Sequence, residues 1–193
     1  MKYSERIKFA VSAAVFGSAW GALEAFMGSY LHMLNIPFRG AIMAGIACVL
    51  MSSGRAFAPY KFVTLSAASV ACLIKLVGIG AFKLGPMAGI LIEGVIAEIV
   101  FLLFGLNSFS VFTASFAVCF EGIPHFFITS WIMYGGGIFE TYLIVIEKTA
   151  SVFGLPKDSY MAVLFLWIAG HVAAGFFFGK VSSVSVKKLK NEI

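Results

Sequence analysis

Eight ionisable side chains lie inside long apolar stretches of this sequence. They are Glu24, His32, Lys75, Glu93, Glu98, Glu121, His125 and His171. An ionisable group is costly to place in apolar surroundings, so each is a candidate for function by default. Carboxylates and imidazoles can exchange protons, accept hydrogen bonds or attract a positively charged group. The elements that carry these residues therefore decide what chemistry is possible.

The first apolar stretch carries a regular series of residues with chemical potential. Trp20, Glu24, Gly28 and His32 follow one another at intervals of four. In a helix this spacing places side chains along one face. A glycine at position 28 leaves room beside the carboxylate and the imidazole. We therefore expect a ligand-facing stripe on the first helix.

A glutamate and a histidine are also four residues apart in a later stretch, at Glu121 and His125, on either side of Pro124. A proline inside a helix leaves one backbone carbonyl without its usual partner and permits a kink. A Glu–His pair on one face beside a proline is a reasonable ligand-binding element. The same pair could serve as an acid and a base.

Glu93 and Glu98 are five residues apart in the fourth apolar stretch. This spacing separates them by about 140° around a helix, so we expect them to face different neighbours. Lys75 could pair with one of the two.

Each pair could also be a buried polar contact that only holds helices together. We expect no resident metal or other cofactor, because the chain has neither HExxH nor a Glu-x-x-His pair. The last apolar stretch superficially resembles the histidine- and glycine-bearing helix of rhomboid proteases, but no Gly-x-Ser-Gly nucleophile motif occurs. An intramembrane enzyme, lipid-modifying or proteolytic, remains the alternative function.

The composition indicates where these stretches reside. Of the 193 residues, 61% are hydrophobic and 12% are charged, whereas soluble domains average about 45–50% apolar and about 25% charged. Soluble globular and disordered classes are thereby excluded. The length suggests a single transmembrane domain over residues 1–193. The three cysteines lie in separate apolar runs, and we expect them to pack as small apolar residues.

We predict an all-α membrane protein, a bundle of six transmembrane helices. A hydrocarbon core of about 30 Å requires about 20 helical residues, and the stretches do not alternate as barrel strands do. The predicted spans are about 9–33, 40–57, 62–83, 86–106, 108–134 and 159–180. Residues 138–153 are too charged and too short for a comfortable span, so we expect an amphipathic lid there. A seventh crossing is the alternative.

The distribution of basic residues predicts the orientation. With six spans and an inner N-terminus, nine basic residues lie inside, namely Lys2, Arg6, Lys8, Arg55, Lys61, Lys180, Lys187, Lys188 and Lys190. Four lie outside, namely Arg39, Lys83, Lys148 and Lys157. Because inner loops carry the excess of Lys and Arg, both termini are predicted to be cytoplasmic in a multi-pass protein of the cell membrane.

Two series of small residues run along the first helix. One contains Ala10, Ala14, Ser18 and Ala22, and the other contains Ala13, Gly17, Gly21 and Ala25. Small residues at this spacing let helices approach closely. They could serve ordinary packing within the chain or a docking surface for another membrane protein.

The overall plan resembles the substrate-binding S components of energy-coupling factor transporters. The likeness lies in the chain length, six helices, both ends inside, no ATPase of its own, and a polar site near the outer side. In that family a small-xxx-small motif in the first helix docks on the transmembrane T component. The residues that match it here are Ala10 and Ala14, with Ser18 as a further candidate.

The resemblance implies a non-enzymatic subunit that captures a small solute outside and delivers it inside. Its partners would be a T component and two ATP-binding subunits that drive translocation; no nucleic acid is expected. Carboxylates and aromatic faces favour a cationic vitamin, a precursor such as a thiamine-like compound, or a metal ion as cargo. The predicted substrate-binding residues are Trp20, Glu24, His32, Glu93, Glu121, His125, Trp131 and Tyr134.

Overall fold

The computed structural model describes residues 2–28, 30–31, 38–77, 84–134, 137–156 and 159–192. Within these ranges the chain is helical and contains no strand. The helices are α1 (Tyr3–Leu23), α2 (Arg39–Phe57), α3 (Val63–Val77), α4 (Leu84–Phe104), α5 (Ser108–Tyr134), α6 (Ile138–Val152) and α7 (Tyr160–Glu192). A π-helical turn, Glu24–Gly28, continues α1.

Five helical segments of the described chain are long and apolar enough to cross a membrane. They are Tyr3–Gly28, Arg39–Phe57, Leu84–Phe104, Ser108–Thr129 and Tyr160–Glu192. Helix α3 is apolar but shorter, with 15 residues, and positions 78–83 of its predicted span lie outside the described residues. The all-helical membrane class is therefore confirmed, with five helices of spanning length.

The predicted boundaries agree best for α2 and α5 and differ most at the two ends of the chain. Helix α1 begins at Tyr3 rather than near residue 9, and α7 continues to Glu192 rather than ending near 180. Hydropathy falls where lysines and serines begin, but these residues do not stop a helix. The segment 181–192 contains neither proline nor glycine, so nothing local terminates α7 at the membrane boundary.

Helix α2 is the centre of the bundle and contacts α1, α3, α4, α5 and α7. Small residues make this position possible, because they bring neighbouring helices close to its backbone. At Gly45 an added Cβ atom would lie 2.0 Å from Cδ2 of Phe178, so the phenyl ring occupies the space that a side chain would fill. Ala44, Ala47 and Cys48 are buried along the same helix.

Glu98 of α4 binds both α2 and α3 at one end of the bundle. Its carboxylate forms an ion pair with Arg55, at 2.9 Å from Nη1 to Oε1. It also accepts hydrogen bonds from the backbone N–H groups of Phe62 at 2.7 Å and Thr64 at 3.1 Å, and from the Thr64 hydroxyl. These N–H groups belong to the residue before α3 and to its first turn, where the helix itself offers no partner for them. Glu98 therefore has a structural role.

Helix α6 has one packed face and one exposed face. Ile146 and Ala150 are buried against Val163 of α7, whereas Glu140 and Glu147 are exposed. Its 15 residues span about 22 Å at 1.5 Å per residue, less than the hydrocarbon thickness of about 30 Å. This two-sided helix agrees with the amphipathic character predicted for residues 138–153.

Candidate functional site

The end of α1 carries a buried ion pair. Glu24 Oε2 lies 3.5 Å from Nζ of Lys75 on α3, and the Lys75 ammonium also donates to the Glu24 backbone carbonyl. A Cβ atom added at Gly28 would lie 3.1 Å from Glu24 Oε2 and 3.5 Å from Lys75 Nζ. The glycine thus leaves the space that the predicted stripe requires. The widened π-helical turn occurs at this point, a feature that recurs at functional sites.

Lys75 does not pair with either glutamate of α4, and the sequence-based expectation for it was wrong. Glu98 is occupied by Arg55 and by the first turn of α3, and Lys75 reaches α1 instead. The reason is the packing of α1 on α3, which a helix-by-helix reading of the sequence does not contain. Glu93 and Glu98 do face different neighbours, as their five-residue spacing predicts.

Glu93 differs from the other carboxylates of the site in its hydrogen bonding. Its side chain is buried in the middle of α4, with 8% of the residue exposed. Its Oε2 atom is enclosed and has no hydrogen-bond partner among the described residues. The carboxylates of Glu24 and Glu121 both lie within electrostatic range of it. A buried carboxylate oxygen without a partner is unfavourable, so Glu93 marks an incomplete polar site.

Trp20 provides an unsatisfied donor in the same interior. Only 1% of its surface is exposed, and it belongs to one buried cluster with Ile90 and Ala97 of α4. Its indole Nε1 has no hydrogen-bond partner in the described part of the chain. Trp20 Nε1 and Glu93 Oε2 therefore do not bond to each other, and a polar group from a ligand could satisfy both.

Helix α5 contributes the predicted Glu–His pair. Glu121 Oε1 lies 3.2 Å from His125 Nδ1, and the helix continues through Pro124 to Tyr134. A Cβ atom added at Gly89 of α4 would lie 3.4 Å from both Cε1 and Nε2 of His125. The imidazole therefore occupies the gap that this glycine leaves between α4 and α5.

His171 of α7 packs against α5 at Gly122. It is buried, and its Nδ1 lies 2.8 Å from the carbonyl oxygen of Trp167, to which it can donate. Its Nε2 faces α5, where a Cβ atom added at Gly122 would lie 3.3 Å away. The ring of Phe38 meets His171 edge-on with centroids 6.0 Å apart. This packing indicates a structural role for His171.

Trp131, another predicted contributor, is not brought into this interior. Trp131 is 50% exposed, so it does not form a buried wall beside the carboxylates. Tyr134 ends α5, but its side chain and the whole of His32 lie outside the described residues. The aromatic side chains found near His171 are Phe38 and Trp167. Trp167 lies four residues before His171 on α7, a spacing that could have indicated this contact, whereas Phe38 directly precedes α2 and no spacing relates it to His171.

The site can attract a cation more readily than it can hold a fixed metal ion. Glu24 and Glu121 each lie within electrostatic range of Glu93, so three carboxylates stand against one lysine and one histidine. No group of three or more His, Cys, Asp or Glu side chains in the described ranges is arranged to hold a metal ion. The Glu121–His125 pair has the geometry for proton exchange.

The two small-residue series of α1 have different environments. Gly17 and Gly21 are buried against α3, where added Cβ atoms would lie 2.6 Å from the Ala67 carbonyl oxygen and 2.8 Å from Ile74 Cβ respectively. By contrast Ala10, Ala14 and Ser18 are exposed. The series with Gly17 and Gly21 thus serves packing within the chain, and the series with Ala10, Ala14 and Ser18 leaves an open helix face.

Comparisons with known proteins give no relative for this chain. No protein-family model, no curated protein and no solved structure matches it.

Proposed function

We propose that this protein is the substrate-capturing membrane subunit of an importer of the energy-coupling factor type. It would bind a small cationic vitamin, precursor or metal ion in the outer half of the bundle. Glu93 would be the central acceptor, with Glu24 and Glu121 on either side. The chain would have no ATPase activity of its own, and separate subunits would drive translocation.

The observation that carries this proposal is the buried Oε2 atom of Glu93, which has no hydrogen-bond partner in the described ranges. Glu98, five residues later, is even less exposed but has an arginine and several donors. The carboxylate of Glu98 is thus fully bonded, whereas Oε2 of Glu93 has no partner among the described residues. A cationic ligand would supply the missing partner, since removing a charge from water is strongly unfavourable unless it is paired.

Trp20 supports the choice of an organic cation. Its indole face can attract a positive charge by a cation–π interaction, and its Nε1 is available to donate to a ligand acceptor. A ligand that carries both a cationic group and an acceptor would bond to Glu93 and Trp20 together. His32, Trp131 and Tyr134 remain proposed contributors at the outer end.

The proposed topology has six spans, with α3 and the residues after it forming the third. Helix α6 would lie at the outer surface as a lid, and both termini would be cytoplasmic, in agreement with the excess of basic residues predicted inside. The exposed face at Ala10, Ala14 and Ser18 would dock on a transmembrane T component, which joins two ATP-binding subunits.

Mass spectrometry of small molecules that co-purify with the protein tests the binding site. We expect a cationic compound with the wild type and with Glu140→Gln, which removes a carboxylate that is exposed on α6. Glu93→Gln has the same change of charge at nearly the same size, and it should lose the compound by at least tenfold. Thermal unfolding of each variant confirms that the fold is retained.

Equal retention by Glu93→Gln and Glu140→Gln would reject Glu93 as the central acceptor. If the wild type retains no compound, a thermal-shift screen of cationic, neutral and anionic solutes replaces the comparison. Stabilisation by anions alone would reject the proposed substrate class.

An intramembrane enzyme is the second candidate, favoured by the 3.2 Å contact between Glu121 and His125. Such a pair can act as a general acid and base. The two functions differ in what the isolated chain does. Turnover of a lipid or peptide by the purified protein, abolished by His125→Ala, would favour the enzyme, whereas co-purification with ATP-binding subunits would favour the importer.

A further inference from the structure

A lysine-lined cavity lies far along the chain from the carboxylate site. It lies between the turn that joins α4 to α5 and the last turns of α7, and has a volume of about 480 Å³. Its wall combines lysines with small polar and apolar side chains, including Ser108, Val111, Val184 and Lys187. No function described above uses it.

The charge of this cavity is positive. Lys180, Lys187 and Lys190 line it, and none of the described residues in its wall is acidic. Nζ of Lys190 donates to the carbonyl oxygen of Leu106 at 3.0 Å, which holds one ammonium group over the α4–α5 turn. Like charges gathered around a cleft attract a counter-ion, so the lining favours an anion.

The start of α5 adds further positive character. Asn107 caps this 27-residue helix, accepting a hydrogen bond from the backbone N–H of Ser110 at 3.0 Å through Oδ1. The N-terminal end of a helix carries a partial positive charge and favours anionic groups. The hydroxyl oxygen of Ser183, whose residue also lines the cavity, is enclosed and lacks a partner in the described part of the chain.

The length of α7 places the cavity at the edge of the membrane. Its 33 residues extend about 50 Å, compared with about 30 Å for the hydrocarbon core. The lysine-bearing end therefore extends past the core. Val184 is half exposed beside the cavity, and Phe109 is largely exposed at the start of α5. The positive cleft thus adjoins an apolar surface, and the two together match an amphiphilic anion better than a soluble one.

We propose that this cavity binds an anionic phospholipid, with the phosphate between the lysines and the start of α5. The acyl chains lie along the apolar side of the cavity, near Val111 and Val184. Such a lipid anchors the α4–α5 turn to the end of α7 at the predicted inner surface. The inference stands apart from the proposed import function, since it uses none of the residues of the carboxylate site.

Binding to the full-length protein in detergent tests this proposal. The probes are short-chain phosphatidylglycerol, phosphatidylcholine with the same acyl chains, and inorganic phosphate, with bound lipid read by native mass spectrometry. We expect phosphatidylglycerol to bind at least tenfold more tightly than phosphatidylcholine, and inorganic phosphate not to compete at equal concentration. Lys187→Gln with Lys190→Gln should weaken phosphatidylglycerol at least tenfold, since each lysine near a lipid surface contributes about fivefold.

Lys61→Gln with Lys188→Gln is the matched control, because it removes two exposed lysines that do not line the cavity. This control should bind phosphatidylglycerol as the wild type does. An equal loss in both double variants would overturn the proposal by showing a general effect of charge. Competition by inorganic phosphate at equal concentration would overturn it in favour of a soluble anion, and equal binding of the two lipids would also overturn it.

Discussion

Gly17→Ala tests whether the buried small-residue series determines how α1 packs on α3. A Cβ atom at this position would lie 2.6 Å from the carbonyl oxygen of Ala67 and 2.8 Å from Cβ of Val70. Ordinary van der Waals contact begins at 3.4 Å, so the added methyl is about 0.8 Å too close to the oxygen. Both neighbours are backbone or near-backbone atoms, which cannot move aside unless α3 moves.

Two effects of opposite sign decide how much Gly17→Ala changes the free energy of unfolding. Replacing glycine by alanine inside a helix favours the helix by up to about 1 kcal/mol. Overpacking a close contact costs about 1–3 kcal/mol, and the rigid neighbours at Gly17 favour the upper part of this range. We therefore expect Gly17→Ala to lower the free energy of unfolding by about 1–2 kcal/mol. This change lowers the midpoint of thermal unfolding by about 2–8 °C for a chain of this size.

The assay is thermal unfolding of the purified full-length protein in detergent. Gly40→Ala is the matched control, because the same methyl group at Gly40 of α2 would have no atom within 4 Å; its midpoint should be unchanged or higher. Ala14→Leu, on the exposed face of α1, should also change the stability by less than about 0.5 kcal/mol. The packing argument fails if Gly17→Ala is as stable as Gly40→Ala.

Three further predictions concern the buried polar groups. Glu98→Ala should cost about 3–5 kcal/mol because Arg55 would stay buried without its partner, and an unchanged unfolding midpoint would contradict this. Lys75→Met should also destabilise the protein, and adding Glu24→Gln should recover part of the loss in a double-mutant cycle; strictly additive effects would exclude coupling. The three buried cysteines should react with a maleimide only after denaturation, and rapid labelling of the folded protein would contradict their burial.

Glu93 and Glu98 show why a list of intramembrane charges does not identify a site. Both are glutamates on α4 with little exposure, 8% and 3% respectively. Glu98 bonds to Arg55 and to the first turn of α3, whereas one oxygen of Glu93 has no partner among the described residues. Only the bonding of each carboxylate separates a structural role from a candidate binding role.

The sequence by itself determined the class of the protein and the approximate positions of most of its helices along the chain. Long apolar stretches require helices, because backbone groups in lipid must be paired within their own segment. Regular spacing also predicted local geometry correctly, as with the contact between Glu121 and His125. These features depend only on residues within one helix, so periodicity is sufficient to predict them.

The tertiary structure decided which faces meet. Lys75 reached Glu24 rather than α4, and of two equivalent small-residue series only the one with Gly17 and Gly21 lies against α3. Periodicity fixes the direction of a side chain around its own helix, but the neighbour on that side depends on how the helices pack. The unpartnered oxygen of Glu93 follows from the same packing, and so does the cavity that α7 forms with the α4–α5 turn.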